Sequence, residues 1–185
     1  MIITIYNKKG GVGKTSLSYN LARDLNFYML SNDDSIIEKA YPAKAKILEK
    51  IKVIENQNII YDLGGFVDSN AVEVFRKSDL IIVPTIADVN SIKRTVNTVK
   101  ELEAYNSNIL VIGNIIKSEN DIEFIQKYMN AEFFISESKI FQKSLLEQSS
   151  VLEIVYKTKI DLYRYRKVLK GYETLLNHLK DFKRV

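Results

Sequence analysis

Short runs of consecutive apolar residues alternate with stretches of helical periodicity along nearly the whole chain. The runs Ile2–Tyr6, Phe27–Leu30, Asn58–Leu63, Asp79–Pro84, Ile109–Asn114 and Glu132–Ile135 are short, largely apolar and lack strict alternation. That pattern marks strands covered on both faces, as in a parallel sheet. Between them, Lys14–Leu25 repeats Leu17, Leu21 and Leu25 at every fourth position, and Asp88–Leu102 places Ile92, Val96 and Val99 on one face. Regular alternation of strand and helix predicts an α/β fold, a doubly wound and mainly parallel sheet with helices on both faces. Residues 35–54 give the weakest signal: Pro42 interrupts a helical pattern, and Lys52-Val53-Ile54 could form a short extra strand. Ile160–Phe182 reads as a long amphipathic helix reaching about residue 183, with Leu162, Val168, Leu169, Tyr172, Leu175, Leu176, Leu179 and Phe182 as its apolar stripe. Gly171 sits inside it against helix propensity. With no repeat, low-complexity tract or linker in between, residues 1–185 read as one domain.

Composition narrows the chemistry. The 185 residues are 46% hydrophobic and 27% charged, enough to build a core and too apolar for global disorder. No apolar run approaches the roughly 20 residues of a membrane span. The N-terminus lacks the charged start and small-residue cleavage site of a signal peptide, so the expected location is the cytoplasm. Zero cysteines exclude disulfides, thiol nucleophiles and thiolate metal sites. The single histidine, His178, leaves no basis for a Ser-His-Asp triad or a multi-histidine zinc site. What remains is the chemistry of carboxylates, lysines, hydroxyls and backbone amides. The net charge of +4 is unevenly spread: residues 157–185 carry nine bases against three acids, a surplus of six, so the remainder is −2. A basic tail on a near-neutral body points to a polyanion or a membrane surface.

After the first strand comes Asn7-Lys8-Lys9-Gly10-Gly11-Val12-Gly13-Lys14-Thr15-Ser16, running directly into a helix. Glycines allow backbone angles that turn successive N–H groups inward, and the helix start adds its positive dipole end. An anion of polyphosphate size is the natural occupant, with Lys14 on the β- and γ-phosphates and the Thr15 hydroxyl on Mg²⁺.

The general pattern G-x-x-x-x-G-K-[ST] fails at its first glycine, which is Lys8 here. The narrower K-G-G-x-G-K-[ST] matches, with Lys9 leading, and so the sequence resembles the deviant Walker A ATPases of the ParA/MinD family. In that family the leading lysine reaches across a nucleotide-sandwich dimer to the phosphates held by the other subunit. The resemblance therefore implies Lys9, Gly10, Gly11, Val12, Gly13, Lys14, Thr15 and Ser16 as nucleotide-binding residues and Lys9 and Lys14 as catalytic cations. The competing reading of Lys9 is a solvated surface lysine, which is the better reading of Lys8.

Further motifs follow in the family's order. Its Asp-x-Asp-Pro after the second strand aligns with Ser31-Asn32-Asp33-Asp34, making Asp33 the carboxylate that orients the attacking water; a shift of one residue nominates Asp34. Loss of the first Asp and the proline puts the hydrolysis rate in question. Asp62, at the end of the third strand and followed by Gly64-Gly65-Phe66, resembles the Walker B and switch II element, where the carboxylate holds Mg²⁺ through a water. Asn114, at the end of a later strand, is the implied adenine contact, with a turn-forming Asn as the competing reading. Ile135–Ile140 and, after the following helix, Ser150–Glu153 resemble the segment that completes the base pocket. The resemblance covers about residues 1–155. Only 29 positions separate Asp33 from Asp62, a compact spacing closest in proportion to the small plasmid-type ParA proteins.

The leading expectation is a nucleotide-switch ATPase using ATP and Mg²⁺. It would dimerise with ATP, bind duplex DNA without sequence preference through Arg164, Arg166, Lys167 and Lys170, and answer to a ParB-like stimulating protein in DNA partitioning. The alternatives are a MinD-like ATPase whose C-terminal helix docks on anionic lipid, a P-loop enzyme of the dethiobiotin synthetase type, and a module that holds ATP with little hydrolysis. Lys9 discriminates against the dethiobiotin synthetase type, and packing of the last helix on the sheet discriminates against the membrane.

Overall fold

The computed structural model describes residues 1–65 and 69–182. Phe66, named above, and Lys183 and Arg184, counted among the nine bases of the tail, lie outside the described residues. Among the described residues seven strands form one sheet: β1 Ile2–Tyr6, β2 Tyr28–Ser31, β3 Ala45–Ile47, β4 Ile59–Leu63, β5 Leu80–Thr85, β6 Ile109–Ile116 and β7 Ala131–Ser136. Their order is β3-β2-β4-β1-β5-β6-β7 and every pairing is parallel. The expected fold class is the one observed, a doubly wound α/β sheet.

Helices cover both faces. On one lie α1 Lys14–Asp24, α2 Ile37–Ala40, α6 Ile140–Leu146, α7 Val151–Val155 and α8 Lys159–Asp181. On the other lie α3 Ser69–Lys77, α4 Val89–Leu102 and α5 Glu119–Gln126. Alternate side chains of each strand feed the two cores, Ile3 and Ile5 into one and Tyr6 into the other. Every residue of β4 is buried, which explains why its run shows no polar alternation.

The extra strand in the weak region is Ala45–Ile47, pairing with β2, and not the expected Lys52–Ile54. Lys52–Ile54 is instead tied to the body by one side chain: the Tyr61 hydroxyl donates to the Lys52 carbonyl at 2.9 Å and accepts from the Ile54 N–H at 3.0 Å. α2 ends before Pro42, as the ring requires.

The last helix packs as an amphipathic helix from Val168 onward. Val168, Leu169, Tyr172, Leu175, Leu176 and Leu179 are buried, but Leu162, expected in the same stripe, is 38% exposed. Gly171 has a packing reason: a Cβ there would lie 2.1 Å from the Phe134 carbonyl oxygen of β7, so only glycine lets α8 cross the edge strand this closely.

Candidate nucleotide site

The loop of residues 7–13 joins a buried strand to the N-terminus of α1 at the carboxyl end of the sheet, where parallel α/β sheets bind ligands. Gly13 caps α1 with a left-handed φ of 82°, and a Cβ on it would lie 2.5 Å from the Asn114 amide nitrogen. Both constraints demand glycine. Lys14 is buried, and its Nζ reaches back to the Lys9 carbonyl at 3.3 Å. Burial pulls its pKa below the ordinary lysine value, opposed by the charges of Asp62 and Asp33.

Asn7 anchors the loop and was not among the residues singled out from the sequence. It is fully buried; its Oδ1 accepts from the Lys9 N–H at 2.8 Å, and its Nδ2 donates to the Pro84 carbonyl at 2.9 Å and to Thr95 Oγ1 at 2.8 Å. The available signal was a polar residue closing an apolar strand, which a buried position tolerates only when hydrogen-bonded. Lys8 is exposed and paired with Glu101 of α4, which fits its reading as a surface lysine. Lys9 is half-buried beside the start of α4. There the Ser91 hydroxyl chiefly, and the Lys9 charge as a smaller cause, hold the Asp88 carboxyl below the usual carboxylate range.

Asp62 is 1% exposed and ringed by hydroxyls. Ser18 Oγ donates to it at 3.1 Å and Ser31 Oγ at 3.3 Å, and the Thr15 hydroxyl lies near enough to favour its charged form. Burial raises its pKa; Thr15, Ser18, Lys14 and Ser31 counter that rise. Thr15 and Asp62 thus meet as a hard-oxygen pair beside the phosphate loop, a donor set that fits Mg²⁺ completed by phosphate oxygens and water. Among the described residues no group of three or more His, Cys, Asp or Glu forms a self-sufficient metal cage.

The loop after β2 is stitched to the end of β4 by side chains. Ser31, at the position of the family's first Asp, bridges Asp62 and the Asp33 N–H, which it accepts at 3.0 Å. Asn32 Oδ1 accepts from the Gly64 N–H at 2.7 Å. Asp33 and Asp34 are both exposed. Asp33 lies against Gly64, its Cγ 3.6 Å from where a Cβ there would sit, and it is the one whose charge reaches Lys14.

A cleft of about 630 Å³ opens from the phosphate loop, beginning at Gly11, Gly13 and Ser16 and continuing to Asn114, Ile115 and Ser136–Lys139. Asn114 is buried and its Nδ2 donates to the Val12 carbonyl at 2.9 Å, so it braces the loop as well as lining the cleft. The expected second wall, Ser150–Glu153, does not line it. Those residues form the capping box of α7, and the Val151 N–H is taken up by Asn20 Oδ1 at 2.8 Å.

The four basic residues expected to bind DNA are exposed but do not share one face. Arg164 and Arg166 sit about 200° apart around a helix of 3.6 residues per turn. Arg164 lies 3.9 Å from Asp161 and Arg166 stacks over the Tyr163 ring at 4.4 Å. Lys167 and Lys170 line a separate groove beside β7 and α5.

Residues 3–160 match the family described as the CobQ/CobB/MinD/ParA nucleotide binding domain. The chain belongs to that family. None of the curated proteins matches it. Among solved structures it is similar to the septum site-determining protein MinD complexed with Mg-ADP from Pyrococcus horikoshii, with a TM-score of 0.70 and 16% identity over 97% of this chain and 96% of that one. Apo McdA of Cyanothece gives 0.68 and 12% over 95% and 98%. A putative plasmid partition protein from Borrelia burgdorferi bound to AMPPNP gives 0.64 and 16% over 94% and 98%. At these identities the likeness establishes a shared fold. No helix among the described residues is long and apolar enough to cross a membrane.

Proposed function

We propose that this chain is an Mg²⁺-dependent ATPase working as a nucleotide switch: it forms a homodimer with ATP, holds duplex DNA without sequence preference, and hydrolyses ATP when a ParB-like protein engages it, in partitioning plasmid or chromosomal DNA. The observation that carries this reading is the loop itself, with Lys9 leading K-G-G-x-G-K-[ST] between β1 and α1 and anchored by Asn7. Gly10–Ser16 bind the phosphates and Lys14 supplies the in-subunit cation. Lys9 serves the neighbouring subunit, where charge develops on the transferring phosphoryl group. Thr15 and Asp62, the latter through a water, hold Mg²⁺, which supplies further charge to the phosphate oxygens. Asp33 orients the attacking water and receives its proton. Asn114 reads the adenine edge. The family membership supports nucleotide binding, and the solved MinD with Mg-ADP and the partition protein with AMPPNP support the choice of ligand.

Light scattering on apo, ADP and non-hydrolysable ATP forms, each with and without duplex DNA, tests the whole reading. A dimer in the ATP form only, which then collects on DNA, is expected; a monomer under every condition would overturn the switch. DNA held through Arg164, Arg166, Lys167 and Lys170 should respond steeply to salt. Replacing Arg164 and Arg166 by Ala should reduce the log–log salt slope by roughly 0.9 per lost phosphate contact.

One observation favours a membrane as the second reading. The first two turns of α8 leave Ile160 at 71% and Tyr163 at 69% exposed beside Arg164, Arg166 and Lys167. Co-sedimentation of the ATP form with anionic liposomes, and not with duplex DNA, would replace DNA by lipid in the proposal. The stretch from Leu175 to Leu179 cannot serve that purpose, because its apolar residues are already buried.

A further inference from the structure

Four non-glycine residues among those described have left-handed φ: Asn26, Asn56, Gln148 and Ile115. The first three lie between elements, and two are Asn, which tolerates this conformation. Ile115, at φ 57°, is the only β-branched one and the only one within a strand. A branched Cβ makes that conformation a true outlier, and such strain persists only where the surroundings enforce it.

The surroundings show what the strain achieves. In a regular strand successive side chains point to opposite faces, so Asn114 and Ile115 should not share a cavity. Both nevertheless line the nucleotide cleft. The pairing of β6 with β7 slips between Gly113 and Ile116, and the left-handed turn at Ile115 falls within that slip. Ile115 Cδ1 lies 3.7 Å from where a Cβ on Gly13 would be, so its apolar branch forms the wall where a nucleoside would leave the phosphate loop. Asn114, committed to the Val12 carbonyl by one N–H, keeps a second N–H and its Oδ1 for an edge. An apolar face beside a polar edge is what a flat heteroaromatic ring requires.

We propose that Ile115 is the residue that packs against the face of the nucleobase, and that its strained backbone exists to bring it into the cleft alongside Asn114. The inference rests on the nucleotide reading of the site and deepens it.

Ile115→Gly and Ile115→Asn both relieve the strain and remove the apolar wall, so affinity and stability should part company. Calorimetric titration of ATP–Mg²⁺ should show affinity falling roughly tenfold in both variants, a loss in keeping with one apolar contact. Tripolyphosphate, which has no base, should bind within about twofold of the wild type. Apo Tm should stay within about 2 °C, because relief of strain offsets the lost half-buried side chain. Unchanged ATP affinity would overturn the inference. So would parallel losses of ATP and tripolyphosphate with a Tm drop of about 5 °C or more, the signature of a structural residue. A wild-type protein that binds tripolyphosphate but gains nothing from the base of ATP would overturn the inference alone. One that binds neither would overturn the nucleotide reading with it.

Discussion

The phosphate loop and the loop after β2 meet at the same end of the sheet, yet they are held in different ways. The first is fixed by its backbone: Gly13 is confined between Asn114 and the start of α1, Asn7 is buried with both ends of its amide bonded, and Lys14 is folded under. The second is exposed at Asp33 and Asp34 and carried by two short side chains, Ser31 on Asp62 and Asn32 on Gly64, with Ser31 and Asp34 standing where the family pattern has an Asp and a proline. A loop whose task is to bind one constant group, a phosphate, can be rigid before the ligand arrives. A loop whose task is to place a carboxylate during one step is better held by contacts that can be remade. Substitutions in the two loops should therefore separate binding from turnover.

The largest effect should come from Asp33→Ala. Removing a positioned general base costs about 10²- to 10⁴-fold in turnover, and the binding groups remain. The variant should accumulate as an ATP-bound dimer, seen by sizing together with single-turnover kinetics. The same phenotype from Asp34→Ala, with normal turnover in Asp33→Ala, would move the register of this loop by one residue.

Lys14→Ala strikes the other loop and should weaken ATP–Mg²⁺ binding about a hundredfold, near the upper range for one charge-assisted hydrogen bond. Folding should survive, since removing a partly desolvated ammonium relieves a burial penalty. ATP affinity unchanged by titration would mean that the loop is not a phosphate site.

Asp62, shared by the two loops, should show a stability effect of the opposite sign. Its pKa is raised by burial, so its contribution to folding is fully present below the unfolded carboxylate pKa and is lost as pH rises through the folded one. Where the carboxyl is ionised, above that raised pKa, the apo protein carries an unfavourable buried charge. Asp62→Asn should raise apo Tm by about 2–4 °C, the shift expected for about 1 kcal/mol in a chain of this size, and should abolish any further stabilisation by Mg²⁺ with nucleotide. The gain in Tm should shrink as the pH is lowered through the raised pKa, where the wild-type carboxyl takes up its proton. A variant less stable than the wild type at neutral pH would show that the hydroxyls of Thr15, Ser18 and Ser31 more than offset the burial.

What the sequence makes legible divides along similar lines. Glycine spacing, a leading lysine and fully apolar strands are local signals, so the phosphate loop, the parallel sheet and Asp62 at the end of β4 can all be read from one chain. β3, three residues long, carries no pattern of its own and exists because β2 offers it an edge. Besides their local bonds, Ser31, Asn32 and Asn7 reach partners 31 to 88 positions away, which no spacing rule reveals. Ile115 is harder still, because an isoleucine in a strand gives no hint of a left-handed backbone. The stripe of α8 is readable in register but not in extent: periodicity includes Leu162, while only from Val168 onward does the helix meet the sheet.

Asn32 gives the smallest and most diagnostic effect. Its Oδ1 is the acceptor for the Gly64 N–H, so Asn32→Ala removes a tether between the loop that carries Asp33 and the end of β4. A neutral hydrogen bond of this kind contributes about 0.5–1.5 kcal/mol net, which corresponds to roughly a two- to twelvefold change. Because the phosphate loop is untouched, the loss should fall on kcat, with KM for ATP unmoved, as expected for a residue that positions Asp33 without holding nucleotide. Asn32→Asp keeps the acceptor and should recover most of the rate; a structural defect would not discriminate between the two variants. If Asn32→Ala instead raises KM at constant kcat, the two loops share the work of binding, and the contrast between a rigid loop and a remade one fails at this residue.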